Sequence, residues 1–205
     1  MLTEATVGPW LDVHILTMPE TNLQWQNECL ESVTRAISHA GFPVALHLCP
    51  GYKGHIGIAR AHGYSLGQAP YICQVDDDDY VTVDAFSSMR EALLANPDVI
   101  FPREWSILYE NSNGTVIEHP KELGRQRHSM KVFLRKHLID FKNWIWAGDP
   151  AQLHYLEHAG LTMIDLPNPT YGYRNHRTSM SNPLRLAYPQ ELALARKMLA
   201  PLLRP

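Results

Sequence analysis

Residues 71–81 read YICQVDDDDYV. A run with the apolar, β-branched character of a buried strand leads straight into four consecutive aspartates, and the chain then turns apolar again. Like charges this close repel, and taking carboxylates out of water is costly unless something positive meets them. The strand must therefore end where cations are supplied, and a divalent ion is the usual partner for such a set. On an extended segment alternate residues point the same way, so Asp76 and Asp78 share one face and Asp77 and Asp79 the other. An Asp-x-Asp pair holds one Mg²⁺ or Mn²⁺ together with diphosphate oxygens and water. The competing reading is a solvated acidic turn in which Asp79 has a capping role.

The flanking pattern favours the first reading. LDVHILTM (11–18) is a short apolar run, expected as a strand. Thr21 with Gln24 fits a capping box, and Leu23, Leu30, Val33 and Ile37 keep helical spacing until Gly41. PVALHLC (43–49) is a second strand, followed by a loop containing Pro50, Gly51, Gly54 and Gly57. Arg60 to Leu66 reads as a short helix stopped by Gly67, Tyr71 to Val75 as the third strand, Ala85 to Leu94 as a helix and DVIFP (98–102) as a strand. Strands alternating with helices imply an α/β domain with a mainly parallel central sheet flanked by helices. Ligands of such sheets bind beyond the carboxyl ends of the strands, where the loop before Glu20, the loop at Gly51 and the aspartates all fall.

The second half is less regular. WSILYENSNGTVIEH (105–119) reads as a hairpin around Asn113-Gly114, Met130 to Leu138 as a helix, LTMIDLP (161–167) as a strand and Pro189 to Leu203 as a closing amphipathic helix. In WIWAGDP (144–150), Asp149 and Pro150 fit the first two positions of a helix, and a carboxylate beside aromatic walls is also suited to act as a general base. In YGYRNHRTSMS (171–181), His176 could complete a metal shell and Arg174 and Arg177 could meet phosphate; the alternative is a polar surface loop. Between residues 121 and 142, Lys121, Arg125, Arg127, Lys131, Arg135, Lys136 and Lys142 are opposed only by Glu122 and Asp140. That surplus could meet a phosphate-bearing acceptor, nucleic acid included, or be a solvated helix face.

Composition narrows the classes. A chain of 205 residues suffices for one sizeable domain, and a formal charge of −3 gives no global case for nucleic-acid or membrane binding. Cys29, Cys49 and Cys73 are odd in number and lack C-x-x-C spacing, which favours neither a disulfide framework nor a zinc site. MLTEATVGPW has neither the basic stretch nor the apolar run of a secretory leader, and no window approaches the length of a membrane span. A soluble, cytoplasmic protein is expected.

Taken in order, these pieces resemble the GT-A-fold glycosyltransferases, family 2 in particular, over most of residues 11–181. The strand ending in a proline loop (ILTMPE), the run GIARAHGYSLGQAPYICQVDDDD, then W-A-G-D and Y-R-N-H-R-T-S are similar to that family's successive motifs. The resemblance implies a single GT-A-like (Rossmann-like) domain, with residues 1–102 as the nucleotide-sugar-binding half, 103–188 as the acceptor side and 189–205 as a terminal helix. It implies a metal-dependent transferase using a nucleotide sugar, usually a UDP-sugar, and Mn²⁺ or Mg²⁺. Asp76, Asp78 and His176 would hold the metal. Thr17, Pro19, Glu20, Arg60, Asp76, Asp77 and Arg174 would contact the donor. Asp149 would be the catalytic base for inverting attack by an acceptor hydroxyl, with Trp146, Arg127 and Lys131 at the acceptor. The chain departs from the family at HLCPGYKG, which lacks the acidic residues that meet the nucleobase. One alternative, a nucleotidyltransferase, would normally show a glycine-rich, basic first loop, and ILTMPETN has neither property. The other is a non-catalytic metal- or nucleotide-binding module.

Overall fold

The computed structural model describes residues 8–51, 56–110, 115–118, 125–126, 130–140, 148–176 and 188–203. In chain order it opens with β1 (Leu11–Thr17), α1 (Leu23–Ser38), β2 (Val44–Pro50), α2 (Ile56–Tyr64), β3 (Tyr71–Asp76) and β4 (Tyr80–Val81). There follow α3 (Arg90–Leu94), β5 (Val99–Glu110), β6 (Thr115–Glu118), β7 (Arg125–Gln126), β8 (Val132–Leu134), α4 (Gly148–His158), β9 (Met163–His176) and α5 (Tyr188–Leu199).

β1 lies between β2 and β3 and is parallel to both, with Leu16 opposite Cys49 on one side and Asp76 on the other. The three carboxyl ends therefore finish together. Leu11, Val13 and Ile15 of β1 and Tyr71, Cys73 and Val75 of β3 face Cys29, Val33 and Ala36 of α1 in one core. Ile72 turns the other way, into a second core with Tyr64 of α2, Ala151 and Leu156 of α4 and Leu199 of α5. Burial on both faces is why β3 reads as apolar on both faces apart from Gln74, which is buried and bonded to the Tyr64 hydroxyl. The cap of α1 differs from the expected box. Asn22 is the N-cap and accepts the Gln24 N–H at 2.8 Å, because the Thr21 hydroxyl is spent on Asp77. The helix ends at His39 and the chain turns at Gly41, whose φ of +72° suits a residue without a Cβ.

The sheet is mixed rather than mainly parallel. Its order is β2-β1-β3-β8-β5-β9-β4, with β6 and β7 paired to β5 outside that path. β5 and β9 are parallel, but β8 runs antiparallel to both β3 and β5. β8 occupies the segment expected as a helix over Met130 to Leu138. Val132 and Phe133 are fully buried between Cys73 and Ile72 on one side and Ile100 and Val99 on the other. Only a strand supplies both rows of hydrogen bonds that this gap requires, and tertiary pairing overrides local helix preference. A 3₁₀ turn over Arg135–His137 is all that remains of the helical pattern. The strand expected at 98–102 runs on to Glu110, and the one at 161–167 runs on to His176. The helix expected over 85–94 is a 3₁₀ turn, Ser87–Met89, followed by α3. The 105–119 hairpin pairs Glu110 with Thr115 and Ile107 with Glu118; its Asn113-Gly114 turn lies outside the described residues.

Candidate active site

The four aspartates do different work. Asp76 ends β3, and the Asp79 N–H returns to the Asp76 carbonyl at 3.1 Å, so the cluster is a tight turn rather than an extended run. Asp77 points back beneath the loop after β1. Its carboxylate accepts the Met18 N–H at 2.7 Å, the Thr21 hydroxyl at 3.0 Å and Gln26 Nε2 at 2.7 Å. Burial pushes this carboxyl up to about 6 against those donors, which leaves it ionised at neutral pH. Asp79 is fully buried and points towards β9, accepting from the Tyr171 hydroxyl and, at 2.6 Å, from the Arg174 N–H. Burial first, then the charges of Asp78 and Asp76, raise it well above the usual carboxylate range.

Asp76 and Asp78 keep side chains 30% and 24% exposed. Asp76 takes the Arg60 guanidinium and, at 3.2 Å, Gln74 Nε2. Its burial opposes ionisation, but Arg60 outweighs this and holds the carboxyl below its ordinary value, with a smaller contribution from Lys131. Asp78 meets His176 Nε2 at 3.0 Å. Two carboxylates thus face the open edge, and two are anchors. Asp77 ties the β1 loop to the turn, and Asp79 ties β9 to it.

β9 and α1 complete the wall. Arg174 is buried, donates from Nη1 to the Asp78 carbonyl at 2.9 Å, and pairs with Glu28. Its guanidinium lies 5.0 Å from the Tyr80 ring centre and 5.8 Å from that of Trp25. Trp25 also packs on the His176 ring at 4.5 Å. Gly172 makes room for this arrangement, since a Cβ there would sit 2.8 Å from Tyr80 Cζ and 3.0 Å from Trp105 Cζ2. Trp25, Gln26, Glu28, Gln74 and Tyr171 were not among the residues singled out from sequence. One signal was present: Trp25, Glu28, Cys29 and Ser32 share a helix face at helical spacing. The Cys29 thiol donates to the Asp76 carbonyl at 3.4 Å, and Ser32 Oγ accepts the Val81 N–H at 3.2 Å.

Among the other expected site residues, Thr17 ends β1 with its hydroxyl on the Cys49 carbonyl at 3.3 Å, and Pro19 and Glu20 are exposed in the loop that Asp77 holds. Asp149 lies inside the first turn of α4, which begins at Gly148, rather than at its N-cap. Trp146 and Arg127 lie outside the described residues. Lys131, expected to meet the acceptor, is instead 2% exposed, and its charge favours the ionised form of Asp76. It precedes β8, so the pairing that replaces the expected helix also carries this lysine inside.

Asp76, Asp78 and His176 offer solvent-facing carboxylates and an imidazole, a hard, oxygen-rich set suited to Mn²⁺ or Mg²⁺. Asp78 and His176 are already in contact, at 3.0 Å, while Asp76 is engaged by Arg60. Among the described residues, the trio whose donor atoms all lie within 4.8 Å of one another is elsewhere: Asp12, His14 and His47.

No family model matches the sequence, and no curated protein matches it. Solved structures do match. S. aureus TarS, residues 1–349, in complex with UDP-GlcNAc superposes with a TM-score of 0.61 at 12% identity, covering 92% of this chain and 66% of TarS. The same fragment in complex with UDP gives 0.54 at 13% identity, covering 94% and 70%. Without either, it gives 0.54 at 12% identity, covering 80% and 60%. The chain thus spans roughly 60–70% of the TarS fragment. The shared architecture is a GT-A-like glycosyltransferase fold.

Proposed function

We propose that this protein transfers a sugar from a nucleotide-sugar donor, a UDP-sugar, to an acceptor hydroxyl with inversion at the anomeric carbon, in a reaction dependent on Mn²⁺ or Mg²⁺. The observation that carries the reading is the division of labour in the Asp76–Asp79 turn. Asp77 and Asp79 are buried and fully engaged, while Asp76 and Asp78 face solvent at the carboxyl edge of the sheet beside Arg60 and His176. The TarS fragment of the same fold has been crystallised with UDP-GlcNAc and with UDP, which supports a nucleotide-sugar donor.

In this reading Asp76, Asp78 and His176 hold the metal, whose charge offsets that of the diphosphate when bound. The chain's own groups do the rest. Thr17, Pro19 and Glu20, fixed by Asp77, border the nucleoside. Arg60 faces the diphosphate, where negative charge grows as the bond from the anomeric carbon to the phosphate oxygen breaks. Arg174 fixes the turn through the Asp78 carbonyl and supports Trp25. Asp149, at the start of α4, takes the acceptor proton as the acceptor oxygen bonds to the anomeric carbon from the opposite side. Less the buried Lys131 and the Asp12-paired Arg135, the basic 121–142 segment still suggests a phosphate-bearing acceptor such as modified DNA, for which acceptor affinity falls steeply with salt.

The test is nucleotide release from a panel of nucleotide sugars, with and without Mn²⁺, by wild type and by Asp78→Ala. Metal-dependent release from one donor, absent in the variant, is expected. Pyrophosphate release from a nucleoside triphosphate would identify a nucleotidyltransferase instead. Metal-dependent nucleotide binding without turnover, with any acceptor supplied, would identify a binding module.

A further inference from the structure

A strand reading L-D-V-H-I-L would ordinarily turn Asp12 and His14 to water. In this protein α2 covers that face of β1 and both are buried, 1% and 2% exposed. β2 presents a matching pair. His47 is the cross-strand partner of His14, and Cys49 lies two residues further along the same face and is 1% exposed. We propose that Asp12, His14 and His47 supply three ligands of a Zn²⁺ site distinct from the aspartate turn.

Three observations support this site. First, one donor atom from each of Asp12, His14 and His47 lies within 4.8 Å of the others, and Cys49 Sγ is 3.9 Å from His14 Nδ1. His47 Nε2 is 3.0 Å from Asp12 Oδ1. Two ligands bonded at about 2.0–2.1 Å to one tetrahedral zinc stand only a little further apart, so an ion can replace the proton that joins this pair. Second, His14 Nε2 is buried and has no hydrogen-bond partner among the described residues, an expensive state for an imidazole unless something binds it. Third, the surroundings hold the set in place without filling it. The other carboxylate oxygen, Asp12 Oδ2, accepts the Ala69 N–H at 2.8 Å and the Arg135 guanidinium, the outer-shell support a ligating carboxylate needs. Gly67 leaves the space, since a Cβ there would lie 2.3 Å from Asp12 Oδ2 and 2.6 Å from His47 Nε2.

The donor chemistry selects the metal. Two imidazoles and a carboxylate suit Zn²⁺ and are too nitrogen-rich for Mg²⁺. All three residues are buried or half-buried on two paired strands beneath α2. The role of the site is to clamp edge strand β2 to β1 and to the Gly67 turn.

The test uses chelator-treated full-length protein titrated with Co²⁺, whose visible absorption distinguishes four- from six-coordinate sites. One equivalent with the intense four-coordinate spectrum, displaced by one equivalent of Zn²⁺, is expected for wild type and equally for Asp78→Ala. Loss of an outer-shell partner alone weakens metal binding about 10–100-fold, so His47→Ala, which removes a ligand, should weaken it at least that much. His47 lies on the edge strand with its side chain 20% exposed, so this variant should fold, which circular dichroism checks. Should it not fold, His47→Gln serves in its place and should weaken the four-coordinate spectrum in the same way. Only weak six-coordinate absorption, a four-coordinate spectrum unchanged in the folded variant, or one lost in Asp78→Ala would each overturn the proposal.

Discussion

Tyr171→Phe removes one oxygen atom and tests how the aspartate turn is held. The ring is fully buried and phenylalanine fills the same space. The hydroxyl donates to Asp79 and accepts the Asp76 N–H at 3.3 Å. Losing the first bond leaves a buried carboxyl oxygen without its donor, about 1–3 kcal/mol, and losing the second leaves a buried N–H wanting a partner, about 1 kcal/mol or more. The sum is about 2–4 kcal/mol, a fall in Tm on the order of 10 °C for a chain of this length. Tyr71→Phe is the internal control. That ring is equally buried, but its hydroxyl makes one bond, to the neutral Pro97 carbonyl at 2.6 Å, worth about 1 kcal/mol. Urea unfolding of both variants should give unchanged m-values, with Tyr171→Phe the less stable by roughly 1–3 kcal/mol. Equal losses in the two, or a loss below about 1 kcal/mol in Tyr171→Phe, would refute the view that Tyr171 ties β9 to the turn through Asp79.

Gly172→Ala drives a Cβ against the Tyr80 and Trp105 rings and should cost about 1–3 kcal/mol, with a matching loss of donor binding as Arg174 is displaced; calorimetry and donor titration check both. Asp77→Ala strands the Met18 N–H, Thr21 and Gln26, and should raise the donor KM more than it lowers kcat, read by steady-state kinetics of nucleotide release. Burial would raise Asp98, yet bonds from His137, Thr162 and Lys136 outweigh it and hold its carboxyl well below the usual range. A carboxyl depressed in the folded state stabilises above its unfolded pKa, near 4, and loses that contribution as pH falls through the folded value. Asp98→Asn should therefore be destabilised at pH 7, with the gap to wild type closing below about pH 4, as measured by denaturant unfolding across pH.

Much of the first half could be read from the chain alone. Leu11, Val13 and Ile15, and Tyr71 to Val75, are apolar at the spacings that two covered faces demand, so β1 and β3 and the helix between them follow from local pattern. The four aspartates marked the edge where those strands end; Asp76 and Asp78 are half-exposed and Asp77 and Asp79 buried, the pairing alternation gave, although a tight turn rather than an extended run produces it. What alternation did not reveal is the partner of each. Asp77 reaches Met18 and Asp79 reaches Tyr171, contacts 59 and 92 residues away in sequence, and no local pattern encodes them. The same limit applies to β8. Val132 and Phe133 favour a strand by type, but the charged residues around them hide it, and they form one because β3 and β5 leave unpaired backbone on either side. That insertion makes the sheet mixed and takes Lys131 from a surface to the interior. His14 shows the point most simply. On the chain it is a polar residue in the alternation of a half-exposed strand, and only α2 packing over that face makes it a buried imidazole beside Asp12, His47 and Cys49. Composition and periodicity determine which face of an element is apolar; what covers the opposite face depends on contacts distant in sequence, and these settle the chemistry of the groups beneath.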